Sequence, residues 1–166
     1  NYINVKRMMA TDPGAFHAIM EKMTASAIDY LNYQIDEGVQ AIQIFDSWVG
    51  CLSVSDYRNH VFAHSKKLLD SISGKVPVIH FGTGNPSLLP LMNEAGGDVM
   101  ALDWRAPLKE SWELLGCKAV QGNMDPIALF GSVDSVRQAA GLILEEVGGR
   151  PGHIFNLGQA DRKSVV

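Results

Sequence analysis

Cysteine is scarce in this 166-residue chain, which contains only Cys51 and Cys117. The two lie far apart, and neither belongs to a CxxC pair or to a nearby set of His and Cys ligands. The sequence therefore predicts neither a disulfide framework nor a zinc site. We interpret both residues as small buried side chains that behave as apolar groups.

Long apolar runs and basic clusters are also absent. No run approaches the roughly 20 apolar residues that cross a bilayer, and the first residues lack the basic-then-apolar pattern of a signal peptide. These absences argue against a membrane partner and favour a cytoplasmic location. The chain has a net charge of −4 and no cluster of Lys and Arg, which argues against nucleic acid as a partner.

The remaining composition is typical of a folded domain, with 46% hydrophobic and 19% charged residues. A chain of this length can bury one hydrophobic core. We therefore expect residues 1–166 to form a single domain.

Helical and strand patterns alternate along the chain. Asp12 and Pro13 indicate an N-cap followed by proline at the first helical position, and apolar residues then recur at helical spacing up to Gly38. Helical crossovers join parallel strands, so the pattern predicts an α/β fold with five parallel strands in chain order. Further helices are predicted near residues 55–71, 87–95, 107–115 and 132–147, and strands near 40–45, 76–81, 98–103, 118–122 and 153–157.

Each predicted strand is followed by a polar or glycine-rich segment. The carboxyl ends of parallel strands share one edge of the sheet, where α/β proteins place their functional sites. We therefore expect these segments to form one functional face. They are Asp46-Ser47-Trp48, Gly82-Thr83-Gly84-Asn85, Asp103-Trp104-Arg105, Gln121-Gly122-Asn123 with Asp125, and Gly158-Gln159.

Several residues of these segments and of the helices after them also have a structural interpretation. Asp125 precedes Pro126 and fits an N-cap, and Ser53 or Ser55 would cap the helix after the first strand. The segment FGTGNPS resembles a phosphate-binding loop only loosely, because it lacks the Gly-Lys-Ser/Thr of a Walker motif.

The histidines and tryptophans are similarly ambiguous. His80 is expected to be a hydrogen-bonded core residue. His60 and His64 lie one helical turn apart, a spacing that can hold a metal ion, but no third ligand is evident and a solvated helix face is favoured. For Trp48 and Trp104, packing against a neighbouring loop and lining a pocket stay equal alternatives.

Four segments in order resemble the uroporphyrinogen decarboxylase family: IFDSWVGCLSVSDY, ALDW, QGNMDPIALF and GHIFNLG. The opening VKRMMATDPGAFHAIMEKMT is similar to the segment that precedes them in that family, so the resemblance extends to Gly158. A sister group, the corrinoid-linked methyltransferases, shares the fold but uses zinc with His and Cys ligands. The stretch VIHFGTGNP has no cysteine where those ligands would be expected, which disfavours this alternative.

The resemblance implies a TIM (β/α)8 barrel, of which this chain supplies about the last five strands with their crossover helices. The first three strands would then lie outside the chain, together with an arginine-bearing loop, an essential aspartate and a substrate-contacting tyrosine. At the other end, Gln159 stands at the position of a family histidine. A true substitution stays open there, but a frameshift or a fragment end explains the tail QADRKSVV better.

The resemblance also implies a reaction, the decarboxylation of the four acetate side chains of uroporphyrinogen to give coproporphyrinogen in haem synthesis, without a metal or other cofactor. Ser47 matches a substrate-contacting hydroxyl, Phe45 would form part of the apolar wall beside it, and Gln159 could donate one hydrogen bond. The essential aspartate would lie outside the chain, so we expect no catalytic residue within it and no activity of the chain alone. Only Arg105 is basic among the strand-end segments, so most cations for this octa-anionic tetrapyrrole are expected elsewhere.

A non-catalytic half-barrel that binds a ligand or a partner chain is the alternative from another class. Its two edge strands would leave backbone groups unpaired and expose Ile42, Ile44 and Phe155. Such edges favour self-association, and a homodimer is one possible form.

Overall fold

Helices and strands alternate in the computed structural model, which describes residues 2–117 and 119–158. The α-helices are α1 (Tyr2–Thr11), α2 (Pro13–Asp36), α3 (Val54–Asp56), α4 (Phe62–Ile72), α5 (Leu89–Ala95), α6 (Leu108–Leu115) and α7 (Val133–Val147). The strands are β1 (Ile42–Asp46), β2 (Val78–Gly82), β3 (Val99–Ala101), β4 (Ala119–Met124) and β5 (His153–Leu157).

The strands form one sheet in the order β1-β2-β3-β4-β5, and every adjacent pair is parallel. The predicted parallel sheet in chain order is therefore confirmed. All carboxyl ends lie at one edge, as in part of a (β/α)8 barrel. Within the described residues, β1 and β5 each pair with a strand on one side only.

Local capping explains where several of these elements begin. The Asp12 carboxylate accepts a hydrogen bond from the Ala15 N–H at 2.9 Å at the start of α2, as predicted. Ser53, rather than Ser55, caps α3 and forms a capping box with Asp56. Asp125 caps a short 3-10 helix over Pro126–Phe130.

Two helical features were not predicted from the sequence. Helix α1 was missed because most of its apolar side chains are exposed and only Met9 is buried, so no clear apolar stripe marks it. The single helix predicted over 55–71 is interrupted, since a π-helical turn at Tyr57–Val61 separates α3 from α4.

Apolar side chains of β1 are buried beneath the helices. Ile42 is only 6% exposed and packs with Leu31 of α2 and Ile72 of α4, and Ile44 contacts the same cluster. The prediction that Ile42 and Ile44 would be exposed is wrong, because they face the helix layer and not the open strand edge. A second, larger cluster includes Tyr57, Leu88, Met92, Trp112 and Val120.

Phe155 is 44% exposed on β5, as predicted for an open strand edge. Cys51 and Cys117 are free and half-buried, and both pack against the larger cluster. Burial raises the pKa of the Cys117 thiol, which fits a small apolar role. Among the described helices, none is long and apolar enough to span a bilayer.

Candidate substrate site at the strand ends

Ser47 directly follows β1 at the edge where the strands end, and it is half-buried. Its carbonyl oxygen accepts a 2.9 Å hydrogen bond from the Thr83 hydroxyl, while its own hydroxyl has no hydrogen-bond partner within residues 2–117 and 119–158. Phe45 is 65% exposed, with its ring edge-on to Phe81 at a centroid distance of 5.8 Å. Gln159 lies outside the described residues.

A cavity of about 760 Å³ opens beside these residues. Its lining includes Phe45 and Ser47 from the end of β1, together with apolar side chains of α1, α2 and the loop after β1. Trp48 also lines this cavity and is 84% exposed. The cavity thus offers apolar surface together with a lining serine whose hydroxyl has no partner among the described residues, an arrangement common in small-molecule sites.

The loops after β1 and β2 are pressed together at Gly50. A Cβ atom at this position would lie 2.1 Å from the Thr83 carbonyl oxygen and 2.7 Å from the Gly84 Cα. Both are backbone atoms, so they cannot move aside as the end of a flexible side chain can. Gly50 therefore allows the contact that fixes the Ser47 loop against the Thr83 loop.

Asp103, after β3, extends this arrangement to the next loop. The residue is 4% exposed, and its carboxylate accepts three hydrogen bonds, from the Gly84 N–H, the Arg105 N–H and the Arg105 guanidinium, at 2.6–2.7 Å. A buried carboxylate requires such compensation. The side chain amide of Asn123 on β4 donates to the carbonyl oxygens of Asp103 and Ala106, which holds the same turn from below.

His80 is a core residue, as predicted. It is fully buried, and its Nδ1 lies 3.2 Å from the carbonyl oxygens of Met92 and Gly96, so Nδ1 carries a proton. Its Nε2 lies 3.4 Å from an Asp46 carboxylate oxygen. The imidazole thus connects the end of α5 to the residue before Ser47.

His17, His60 and His64 form a cluster between α2 and the helical segment after β1. The His17 Nδ1 and His64 Nε2 atoms are 2.9 Å apart, and the His17 ring stacks on both other imidazoles at 5.2–5.6 Å. The prediction of a solvated helix face for His60 and His64 is wrong, because α2 packs across α4 there and His64 is 5% exposed. No group of three potential ligands among the described residues is arranged to hold a metal ion.

This cluster predicts acid-sensitive stability. Burial lowers the pKa of His64, whose Nδ1 is buried without a hydrogen bond, and this effect outweighs the opposite effect of the Glu21 carboxylate 3.7 Å away. Because the folded-state pKa is depressed, the unfolded chain binds more protons as the pH falls below the ordinary histidine value of about 6.5, so the stabilisation present above that value is lost.

We therefore expect the melting temperature, followed by circular dichroism, to decrease from pH 7 to pH 5. His64→Gln should make this decrease in melting temperature smaller. His153→Gln, a matched change at the half-buried start of β5, should leave the decrease unchanged. An equal pH slope in wild type and His64→Gln would contradict the assignment.

Comparison with known proteins places this architecture in a family. The sequence matches the family described as uroporphyrinogen decarboxylase (URO-D) over residues 1–160. A uroporphyrinogen decarboxylase of Carboxydothermus hydrogenoformans is 48% identical over 99% of this chain, and one of Koribacter versatilis is 46% identical over 95% of it. The chain spans about half the length of these relatives, 48% and 46%.

A solved structure supports the fold independently. A methyltransferase from Methanosarcina mazei superimposes with a TM-score of 0.70 and 23% identity, covering 84% of this chain and 42% of that protein. Identity at this level shows a shared fold and is not evidence for a shared function. The family match extends over nearly the whole sequence, and the chain therefore belongs to the uroporphyrinogen decarboxylase family.

Proposed function

We propose that this chain, as a single domain, contributes part of the substrate site of a uroporphyrinogen decarboxylase. This enzyme is a carboxy-lyase that converts the four acetate side chains of uroporphyrinogen to methyl groups and so gives coproporphyrinogen in haem synthesis. The observation that carries the proposal is Ser47, whose hydroxyl has no partner among the described residues, in the lining of an apolar cavity of about 760 Å³, in a chain of this family.

The proposed reaction uses the electron-accepting capacity of the substrate itself. Protonation of a pyrrole ring carbon makes a cationic ring, the bond between the acetate methylene and its carboxylate breaks, and the electron pair moves into the ring. A proton added to the methylene carbon then leaves a methyl group, and the ring loses the first proton. Each cycle consumes one proton and releases one CO2, so the protein has to orient the tetrapyrrole and stabilise the cationic ring.

Residues of this chain serve mainly to bind and orient the tetrapyrrole substrate. The Ser47 hydroxyl donates a hydrogen bond to a substrate carboxylate, and Phe45 supplies apolar wall beside it. Gln159, which lies outside the described residues, donates a further hydrogen bond. The counter-charge for the cationic ring comes from outside this chain.

The test uses a complemented protein, in which this chain is co-expressed with the part of the Carboxydothermus hydrogenoformans relative outside the matched region. After co-purification, conversion of uroporphyrinogen to coproporphyrinogen is followed by chromatography. We expect Ser47→Ala to lower kcat/KM about tenfold or more, because a hydrogen bond to a charged group contributes about 1.5–3 kcal/mol.

Ser26→Ala is the matched control, since it removes a hydroxyl from an exposed position of α2. It should leave kcat/KM within about twofold of wild type, the range expected for a surface substitution. A co-purified complex without turnover would refute the proposed function. Equal activities of the Ser47 and Ser26 variants would refute the role of Ser47 alone.

A non-catalytic half-barrel that binds a partner chain is the second candidate, favoured by the one-sided pairing of β1 and β5 among the described residues. A methyltransferase function has support from fold similarity only, at 23% identity. The turnover assay discriminates between these candidates, because a binding module would form the complex without releasing CO2.

A further inference from the structure

Arg105 has an unusually fixed side chain for an exposed arginine. Its guanidinium carbon lies 3.7 Å from the centroid of the Trp104 ring, and its Nη1 donates to an Asp103 carboxylate oxygen at 2.7 Å. Its Nε and Nη2 groups have no partner within residues 2–117 and 119–158, although the side chain is only 47% exposed. Two donor groups of a preorganised, planar cation are thus available to a ligand.

The turn that carries Arg105 is equally constrained. Asp103 accepts from the Arg105 backbone N–H, and Asn123 holds the carbonyl oxygens on both sides of the turn. Gly158 packs so closely on this turn that a Cβ atom at position 158 would lie 2.3 Å from the backbone nitrogen of Trp104. An arginine fixed in this way loses little conformational entropy when it binds an anion.

One loop connects Arg105 to the free hydroxyl of Ser47. The Thr83 hydroxyl donates to the Ser47 carbonyl, and the N–H of the next residue, Gly84, donates to Asp103. The loop of Ser47 and the turn of Arg105 are therefore both bonded to the same short segment, at the edge where β1 and β3 both end.

Charge completes the case for an anionic ligand. Arg105 is the one basic residue in the strand-end segments that the structure describes. The Asp103 carboxylate is buried and accepts from the backbone N–H groups of Gly84 and Arg105 as well as from the guanidinium, so it does not depend on the Arg105 side chain alone. A polyanion at this edge meets Arg105 as its nearest described cation among these loops.

We infer that Arg105 binds a carboxylate of the tetrapyrrole substrate and so helps to orient it relative to Ser47; this inference rests on the proposed function. The planar guanidinium presents paired N–H donors to a carboxylate, which a lysine ammonium cannot do. Arg105 is accordingly a binding and orienting residue, and the decarboxylation step itself uses other groups.

The test measures binding of uroporphyrin, the oxidised octacarboxylate analogue, to the complemented protein by quenching of tryptophan fluorescence. Arg105→Met removes the charge but keeps an apolar chain over Trp104, and Arg105→Lys keeps the charge without the planar donors. Arg150→Met is the matched control, because Arg150 stacks on Trp112 at 3.9 Å before β5, away from the strand ends.

We expect Arg105→Met to weaken uroporphyrin binding about tenfold or more and to reduce the salt dependence of this binding. The affinity of Arg105→Lys should lie between those of Arg105→Met and wild type. Arg150→Met should bind as wild type does. Coproporphyrin, which lacks the four acetate groups, identifies the carboxylate that Arg105 contacts. If Arg105→Met weakens coproporphyrin binding less than uroporphyrin binding, the contact is with an acetate. If both affinities fall equally, the contact is with a propionate.

Thermal unfolding curves establish that both variants are folded. Equal binding of uroporphyrin by Arg105→Met and Arg150→Met would then overturn the inference, while turnover by the wild-type complex would still uphold the proposed function. Absence of both turnover and porphyrin binding in the wild-type complex would overturn the proposed function and the Arg105 contact with it.

Discussion

The 166-residue chain alone is expected to show no uroporphyrinogen turnover and to associate in solution, whereas the complemented protein should be active and uniform in size. The change should be large, from background to at least about a hundredfold above it, since electrostatic stabilisation of a charged transition state often contributes that much. Light scattering after gel filtration and the chromatographic assay measure the two properties on the same sample.

The physical reason lies in the two ends of the sheet. Among the described residues β1 and β5 pair on one side only, and Phe45 and Phe155 on these two strands are 65% and 44% exposed. Unpaired strand edges with apolar side chains are surfaces on which another chain can add a strand. A segment that pairs with both edges would cover these groups and, under the proposed function, would supply the counter-charge for the cationic ring.

Active, monomeric chain without any complementing segment would contradict this prediction. It would mean that residues present here, above all Ser47 and Arg105, contribute far more to catalysis than orientation. A useful control is the complementing segment alone, which should also lack turnover, because it does not contain the strand-end loops of this chain.

The parallel sheet was predictable because most strands are short apolar runs and the segments between them carry helical spacing. Which side chains of β1 are buried was not predictable, because Ile42, Ile44 and Phe45 are all apolar. Only tertiary packing decides that Phe45 is exposed. Similarly, α1 has an apolar composition without a buried stripe, so nothing local distinguishes it from an irregular segment.

The candidate site was predictable in its location and not in its connections. Polar residues after every strand indicate the functional edge, and the placement of Ser47 at that edge agrees with the expectation. Contacts between loops distant in sequence, such as Thr83 to Ser47 or Gly84 to Asp103, leave no local pattern. The histidine cluster was missed for the same reason, since His17 is 47 positions away from His64.

Gly50→Ala is expected to destabilise the chain and to reduce turnover of the complemented protein severalfold or more. The added Cβ would lie 2.1 Å from the Thr83 carbonyl oxygen, so the loops after β1 and β2 have to separate. Overpacking of this kind costs about 1–3 kcal/mol of folding free energy. Separation also weakens the bond from the Thr83 hydroxyl to the Ser47 carbonyl, which displaces the proposed substrate hydroxyl.

Gly141→Ala is the matched control, because the same methyl group added within α7 would meet nothing within 4 Å. There the substitution should stabilise the chain by up to about 1 kcal/mol through helix propensity, and it should leave turnover unchanged. Denaturant unfolding of both variants gives the free energies, and the assay gives kcat/KM. The two glycines should thus respond with opposite signs to one chemical change. A neutral Gly50→Ala variant with full activity would show that the two loops can separate without displacing Ser47, and that the close contact at Gly50 does not position the site.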